Sequence, residues 1–115
     1  MKADSSITTA LVSGIAALVL GAAAPCFAID IDAAQALAKK SNCMKCHSVS
    51  AKKEGPPFKE TAAKYKGKAD AEQKLFVHLT TNPKVKVDGK EEEHESLKTK
   101  NEADVRNVVQ WILSQ

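Results

Sequence analysis

The sequence predicts an all-α domain on three observations. Helix-capping signals recur along the chain, an apolar face with i, i+3, i+4, i+7 spacing lies near the C-terminus, and no long segment alternates apolar with polar residues. Lys84-Val85-Lys86-Val87 does alternate, but it is too short to build a sheet. Helices are accordingly expected near 33–40, 58–66, 71–80 and 102–114, four elements in one small domain.

The elements follow in order. Residues 1–28 have the layout of a secretory signal: Lys2 near the amino end, an apolar run from Ala10 to Ala24, and small residues before a cleavage point after Ala28. An uncleaved anchor is the alternative, although the run is short for a spanning helix and contains Ser13 and Gly14. Lipid attachment at Cys26 is disfavoured because Pro25 occupies the place where a small residue is wanted. Removal of residues 1–28 from the 115 leaves 87, so residues 29–115 form a domain with little capacity for a protein-only core. Such a domain needs a staple.

Asp32-Ala33-Ala34-Gln35 and Asp70-Ala71-Glu72-Gln73 each pair a capping acid with a glutamine three residues on, and Asn101 opens the last helix similarly. Gly67 is a natural stop for the second helix and Pro83 for the third. In the last helix Val105, Val108, Val109 and Ile112 line one face, with Trp111 expected at its edge. Ala33, Ala34, Leu37 and Ala38 give the first helix a small-residue face against which that stripe can pack closely.

The chemistry is concentrated in Cys43-Met44-Lys45-Cys46-His47. Two thiols three apart followed at once by an imidazole is the arrangement that attaches a c-type haem. Cys43 and Cys46 can each add to one vinyl group of the porphyrin, and His47 is delivered to the iron from the same side as proximal ligand. A thioredoxin-like pair would need a βαβ context, and a structural zinc site would need a second pair of ligands. A plain disulfide stays open in an exported chain, but it leaves His47 without a role. One covalent haem c would also supply the apolar body that the domain needs, which suits a chain with one Trp, one Tyr and three Phe.

With these residues the chain resembles the small bacterial class I cytochromes c. The likeness runs from the haem motif through Gly55-Pro56-Pro57-Phe58-Lys59 and Ala62-Ala63-Lys64-Tyr65 to Val109-Gln110-Trp111-Ile112-Leu113-Ser114-Gln115. It implies the class I cytochrome c fold, four to five helices around one covalent haem with the first and last packed together. It also implies that the Pro56 carbonyl accepts a hydrogen bond from His47, and that His78 contacts a haem propionate, a surface role being the alternative for His78.

The departure from the family lies on the other face of the haem. The family's distal methionine is missing: Met1 leaves with the signal and Met44 is pinned between the two cysteines. At the corresponding place, seventeen residues before Trp111, stands His94. His94 is therefore expected as sixth ligand of a bis-histidine iron, with His78, a lysine, water or an open position as the other readings. Imidazole favours ferric iron more than a thioether does, so the reduction potential should lie below that of methionine-ligated relatives. Glu91, Glu92, Glu93 and Glu95 flank His94 and are expected to raise its pKa, so that the distal bond loosens in acid as well as on reduction.

Charge is unevenly distributed. From Lys39 to Lys86 twelve lysines face four acids, a balance of +8, whereas from Asp88 to Asp104 three lysines face seven acids, a balance of −4. The lysines would steer redox partners with acidic docking surfaces. Nucleic acid is not an expected partner, nor is stable membrane insertion after signal cleavage, and a monomer in the periplasm is the expected form. Two function classes follow: a one-electron carrier between redox proteins, or a haem protein whose detachable distal histidine admits small gaseous ligands. No catalytic dyad is visible, so an enzyme is not expected.

Overall fold

The computed structural model describes residue 21 and residues 28–115, so the export segment read from residues 1–28 falls outside it except for Gly21 and Ala28. Five helices and one hairpin follow in order: α1 Ile31–Lys40, α2 Cys43–Cys46, α3 Phe58–Tyr65, α4 Ala71–His78, β1 Lys84–Val87, β2 Lys90–Glu93 and α5 Glu102–Leu113. Among the described residues no helix is long and apolar enough to cross a membrane.

Helix α1 begins two residues earlier than its capping signal suggests. Asp30, not Asp32, is the cap: its carboxylate accepts from the Ala33 N–H at 2.9 Å, and Asp32 falls in the first turn, where its charge suits the helix dipole. Asn107 of α5 then accepts from the Asp30 N–H at 2.9 Å and donates to the Asp30 carbonyl at 2.8 Å, which fastens the start of α1 to α5. The two helices pack along Ala34 and Ala38, both buried and small enough for close approach. Ala33 is exposed and Leu37 only half-buried.

Helix α5 is the central element of the core, with α1, α3 and α4 all packed against it. Asn101 caps it by accepting from the Ala103 N–H at 2.9 Å. Val105, Val108, Val109 and Ile112 are buried, and Val108 and Val109 each stabilise the fold by about 1.5–3 kcal/mol through burial. Trp111 is also buried rather than marginal, because its ring meets the edge of Phe58 at 5.3 Å between centroids. Glu72 of α4 accepts from Arg106 at 3.0 Å and from Gln110 at 2.7 Å, tying α4 to the other side of α5.

Helix α3 ends at Tyr65, and the chain turns away through Gly67 just beyond it, whose φ of +74° costs a glycine little. Helix α4 stops at His78, well before Pro83, and the Thr80 and Thr81 hydroxyls donate back to the carbonyls of Phe76 and Val77, each at 2.8 Å. Asp70 sits at the N-cap of α4 but pairs with Lys74 at 2.8 Å instead of capping through its side chain.

The hairpin is the departure from an all-α reading. Asp88 and Gly89 both have positive φ, +49° and +79°, the conformation of a type I′ turn that joins two antiparallel strands tightly. The register sets Lys84 opposite Glu93 and Lys86 opposite Glu91, so opposite charges face across the pair. Val85 and Val87 turn inward and are half-buried, while β2 is exposed throughout.

Candidate haem-binding site

The proximal segment is built by local geometry. Asn42, in the left-handed region at φ +61°, starts the single turn of α2, which presents Cys43 and Cys46 one helical turn apart. Both are free thiols, so the disulfide reading does not describe this arrangement. Cys43 packs against the hydrophobic core, and burial pushes its thiol above the ordinary range. Cys46 is also pushed up, by desolvation first and then by Glu54, whose carboxylate accepts from the thiol at 3.3 Å. Glu92 and Glu95 act in the same direction, so the surroundings of this thiol are acidic although the stretch from Lys39 to Lys86 is basic overall.

The chain then folds back on itself. Gly55 N donates to the Cys46 carbonyl at 2.8 Å, Phe58 N to the Ser48 carbonyl at 2.9 Å and Lys59 N to the Val49 carbonyl at 3.0 Å. This return brings the Pro56 carbonyl to 2.8 Å from His47 Nδ1. A carbonyl can only accept, so Nδ1 carries the proton and Nε2 keeps its lone pair for a metal. Gly55 lies flat against the ring, where a Cβ would run into Cε1 and stand only 2.7 Å from Nδ1 and 2.9 Å from Nε2. Phe58 stacks on the imidazole at 5.3 Å and passes the contact on to Trp111. Pattern reading gave Gly55 and Phe58 no separate part in the site. The glycine before two prolines is the signal that marks a close approach there.

The segment expected on the distal side is reached from the hairpin. His94, the residue after β2, donates its backbone N–H to the Pro83 carbonyl at 2.8 Å, and its half-buried ring turns toward the other two histidines. Its centroid lies 6.1 Å from that of His47 and 4.5 Å from that of His78, which stands in the last turn of α4. His94 Nδ1 is buried with no hydrogen-bond partner.

The ring's position overturns the expected effect of the flanking glutamates. Burial, followed by the neighbouring His78 and His47, lowers the pKa of His94 instead of raising it. His78 is lowered too, by burial first and then by His47 and Lys64. Both imidazoles therefore favour the neutral form, the one that can bind a metal.

The donor set fits a haem iron. Two imidazoles bound to one metal through bonds of about 2.0 Å have ring centres roughly 6 Å apart, which matches His47 and His94 and not the closer His78–His94 pair. Among the described residues no group of three or more His, Cys, Asp or Glu side chains could hold a metal ion on its own. A covalent haem protein built on a small helical frame is the class that this fold and site define.

Comparison with known proteins narrows the class. The model of the family described as cytochrome c matches residues 31–115. Cytochrome c2 of Rubrivivax gelatinosus is 36% identical over 78 residues, which are 67% of this chain and 91% of that protein. Cytochrome c-551 of Allochromatium vinosum is 49% identical over 43 residues, 37% of this chain and 46% of the relative. The chain thus spans about half the length or less of the first curated relatives it matches. Among solved structures, the class 1 cytochrome MtoD from Sideroxydans lithotrophicus ES-1 is similar with a TM-score of 0.73 and 50% identity, covering 76% of this chain and 97% of that one. Cytochrome c552 of Nitrosomonas europaea follows at 0.55 and 32%, covering 70% and 96%. The chain belongs to the cytochrome c family, with the class I fold and a covalently attached haem c whose motif is the Cys43–His47 segment.

Proposed function

We propose that this cytochrome carries single electrons between redox proteins in the periplasm, as a monohaem protein comprising residues 29–115 after loss of a signal peptide. In this reading Cys43 and Cys46 form the two thioethers, His47 is the proximal ligand and His94 the distal one. The observation that carries it is the 6.1 Å separation of the His47 and His94 rings in a chain with no methionine available for the distal face.

When bound, the haem supplies a metal that takes up or gives off one electron. The residues around it set how easily that happens. Pro56 holds the His47 ring by its Nδ1 proton, which fixes its orientation and makes it a better donor. An imidazole from His94 in place of a thioether favours the oxidised state, so the potential lies below that of methionine-ligated cytochromes. Protonation of His94 competes weakly with metal binding because burial already disfavours its charged form. His78 is placed beside His94 and is proposed to face a propionate.

Lysines on α1 and α3 are exposed, and they would steer partners with acidic docking surfaces, while the acids near Cys46 repel such partners from that side. The protein is proposed to act as a monomer and not as an enzyme. A second reading, a detachable distal histidine that admits gaseous ligands, is favoured by one feature: His94 Nδ1 has no acceptor to hold the ring.

Carbon monoxide added to the reduced protein tests the first reading against the second. Binding that is absent or slow supports the carrier, and prompt binding supports an opening site.

A further inference from the structure

The distal ligand hangs on a weak support. A lone two-stranded hairpin is marginally stable in water, and here β2 is exposed along its whole length. The Lys84–Glu91 bridge, at 2.9 Å between two exposed side chains, adds little. Only Val85 and Val87 turn inward from β1, and both stay half-buried. Something else must hold His94 in place.

The neck of the hairpin carries a closed set of hydrogen bonds. Asn82 stands in the left-handed region at φ +48°, a conformation that asparagine tolerates better than most residues. Its Oδ1 accepts from the Ser96 N–H at 3.0 Å and from the Ser96 hydroxyl, and its own N–H donates to Ser96 Oγ at 3.2 Å. On the inner side His94 N bonds to the Pro83 carbonyl, and on the outer side Leu97 N bonds to the Leu79 carbonyl at 2.9 Å. Leu97 is buried in the core, so the neck is anchored at its outer end and free toward the turn.

We propose that Asn82 and Ser96 form a clasp across the neck of the hairpin that holds His94 in its metal-binding position, and that the strength of this clasp sets how readily the distal site opens. The proposal rests on His94 being the distal ligand. Asn82 and Ser96 act through His94 and are positioning residues. Loss of the side-chain bonds leaves the 83–95 loop closed by its strand pairing, the exposed Lys84–Glu91 bridge and the His94–Pro83 backbone bond, and the His94 ring, whose Nδ1 has no partner, follows the hairpin outward.

The test uses the reduced holoprotein and carbon monoxide as probe, with binding followed by stopped flow. Asn82→Gly keeps the left-handed backbone accessible and removes the side chain, and Ser96→Ala removes the hydroxyl. Each removes two of the three clasp bonds and is expected to speed carbon monoxide binding by at least about tenfold, the effect of one hydrogen bond, while the resting spectrum stays unchanged. Amide exchange at His94 and Ser96 should accelerate in the same two variants. Asn107→Ala, which loosens α1 from α5 far from the hairpin, should lower thermal stability and leave the rate as in wild type. Wild-type rates in both clasp variants would overturn the proposal, as would an equal acceleration in Asn107→Ala, which would reduce the effect to general destabilisation. His94→Ala separates the two claims: if it leaves the spectrum unchanged, the distal assignment fails and the clasp falls with it.

Discussion

The two sides of the site are built on different principles. The proximal segment, residues 43–58, is short-range: two thiols and an imidazole within five residues, a return loop closed by backbone hydrogen bonds, and a ring held by Pro56, Gly55 and Phe58 together. The distal segment, residues 82–96, brings in one side chain on an exposed hairpin and leaves its Nδ1 without a partner. The difference teaches where this molecule is rigid and where it can be tuned. Attachment is determined redundantly, whereas the sixth position, under the proposed His94 ligation, would depend on a single residue and on the loop that carries it.

The largest effect expected on the proximal side is that of His47→Ala. Even partners one step removed from a metal are commonly worth 10–100-fold in its binding, so loss of the ligand itself should cut the share of purified chain carrying haem by more than about tenfold, read from absorbance per mole of protein. A variant that matures normally would show that the two thioethers suffice and would weaken the contrast.

Two glycines sharpen it. Gly55→Ala forces a methyl group into the His47 ring and should cost about 1–3 kcal/mol in unfolding free energy while altering the haem spectrum. Gly89→Ala meets no neighbouring atom and suffers only from its positive φ, so about 1 kcal/mol of destabilisation is expected with the spectrum intact. Equal spectral changes in the two would erase the distinction between the segments.

A smaller effect follows from His78. Its folded-state pKa lies below the ordinary 6.5, chiefly through burial, so the unfolded chain takes up the extra proton first. The stability linked to its neutral form is therefore present above about pH 6.5 and is lost as the pH falls through the lowered value. Thermal unfolding of wild type and His78→Gln between neutral and mildly acid pH should show a shallower loss in the variant. Smallest of all, Lys84→Ala breaks an exposed pair and should change stability by less than about 1 kcal/mol. A larger loss would mean that the hairpin draws more from its own charges than from its neck.

The same contrast explains what could be read from the sequence. Cys43, Cys46 and His47 are legible because the chemistry depends on adjacent residues, and the helices because capping and apolar spacing are local as well. Asp30 was masked by Asp32, which offers the same capping chemistry two residues later. The hairpin escaped because four-residue strands carry little periodic signal, although Asp88-Gly89 is a strong turn signal for one. The four glutamates suggested a raised pKa for His94, yet neighbours in sequence were not the dominant neighbours in space. Burial and two other histidines govern the ring, and only the folded chain brings them together.

The claim that most needs testing is that His47 and His94 share one metal. The absorption spectrum of the ferric holoprotein should be recorded for wild type and for His94→Ala at neutral pH. We expect a six-coordinate low-spin spectrum in wild type and conversion to a high-spin one in the variant, with immediate carbon monoxide binding after reduction. A variant that keeps the wild-type low-spin spectrum would contradict it.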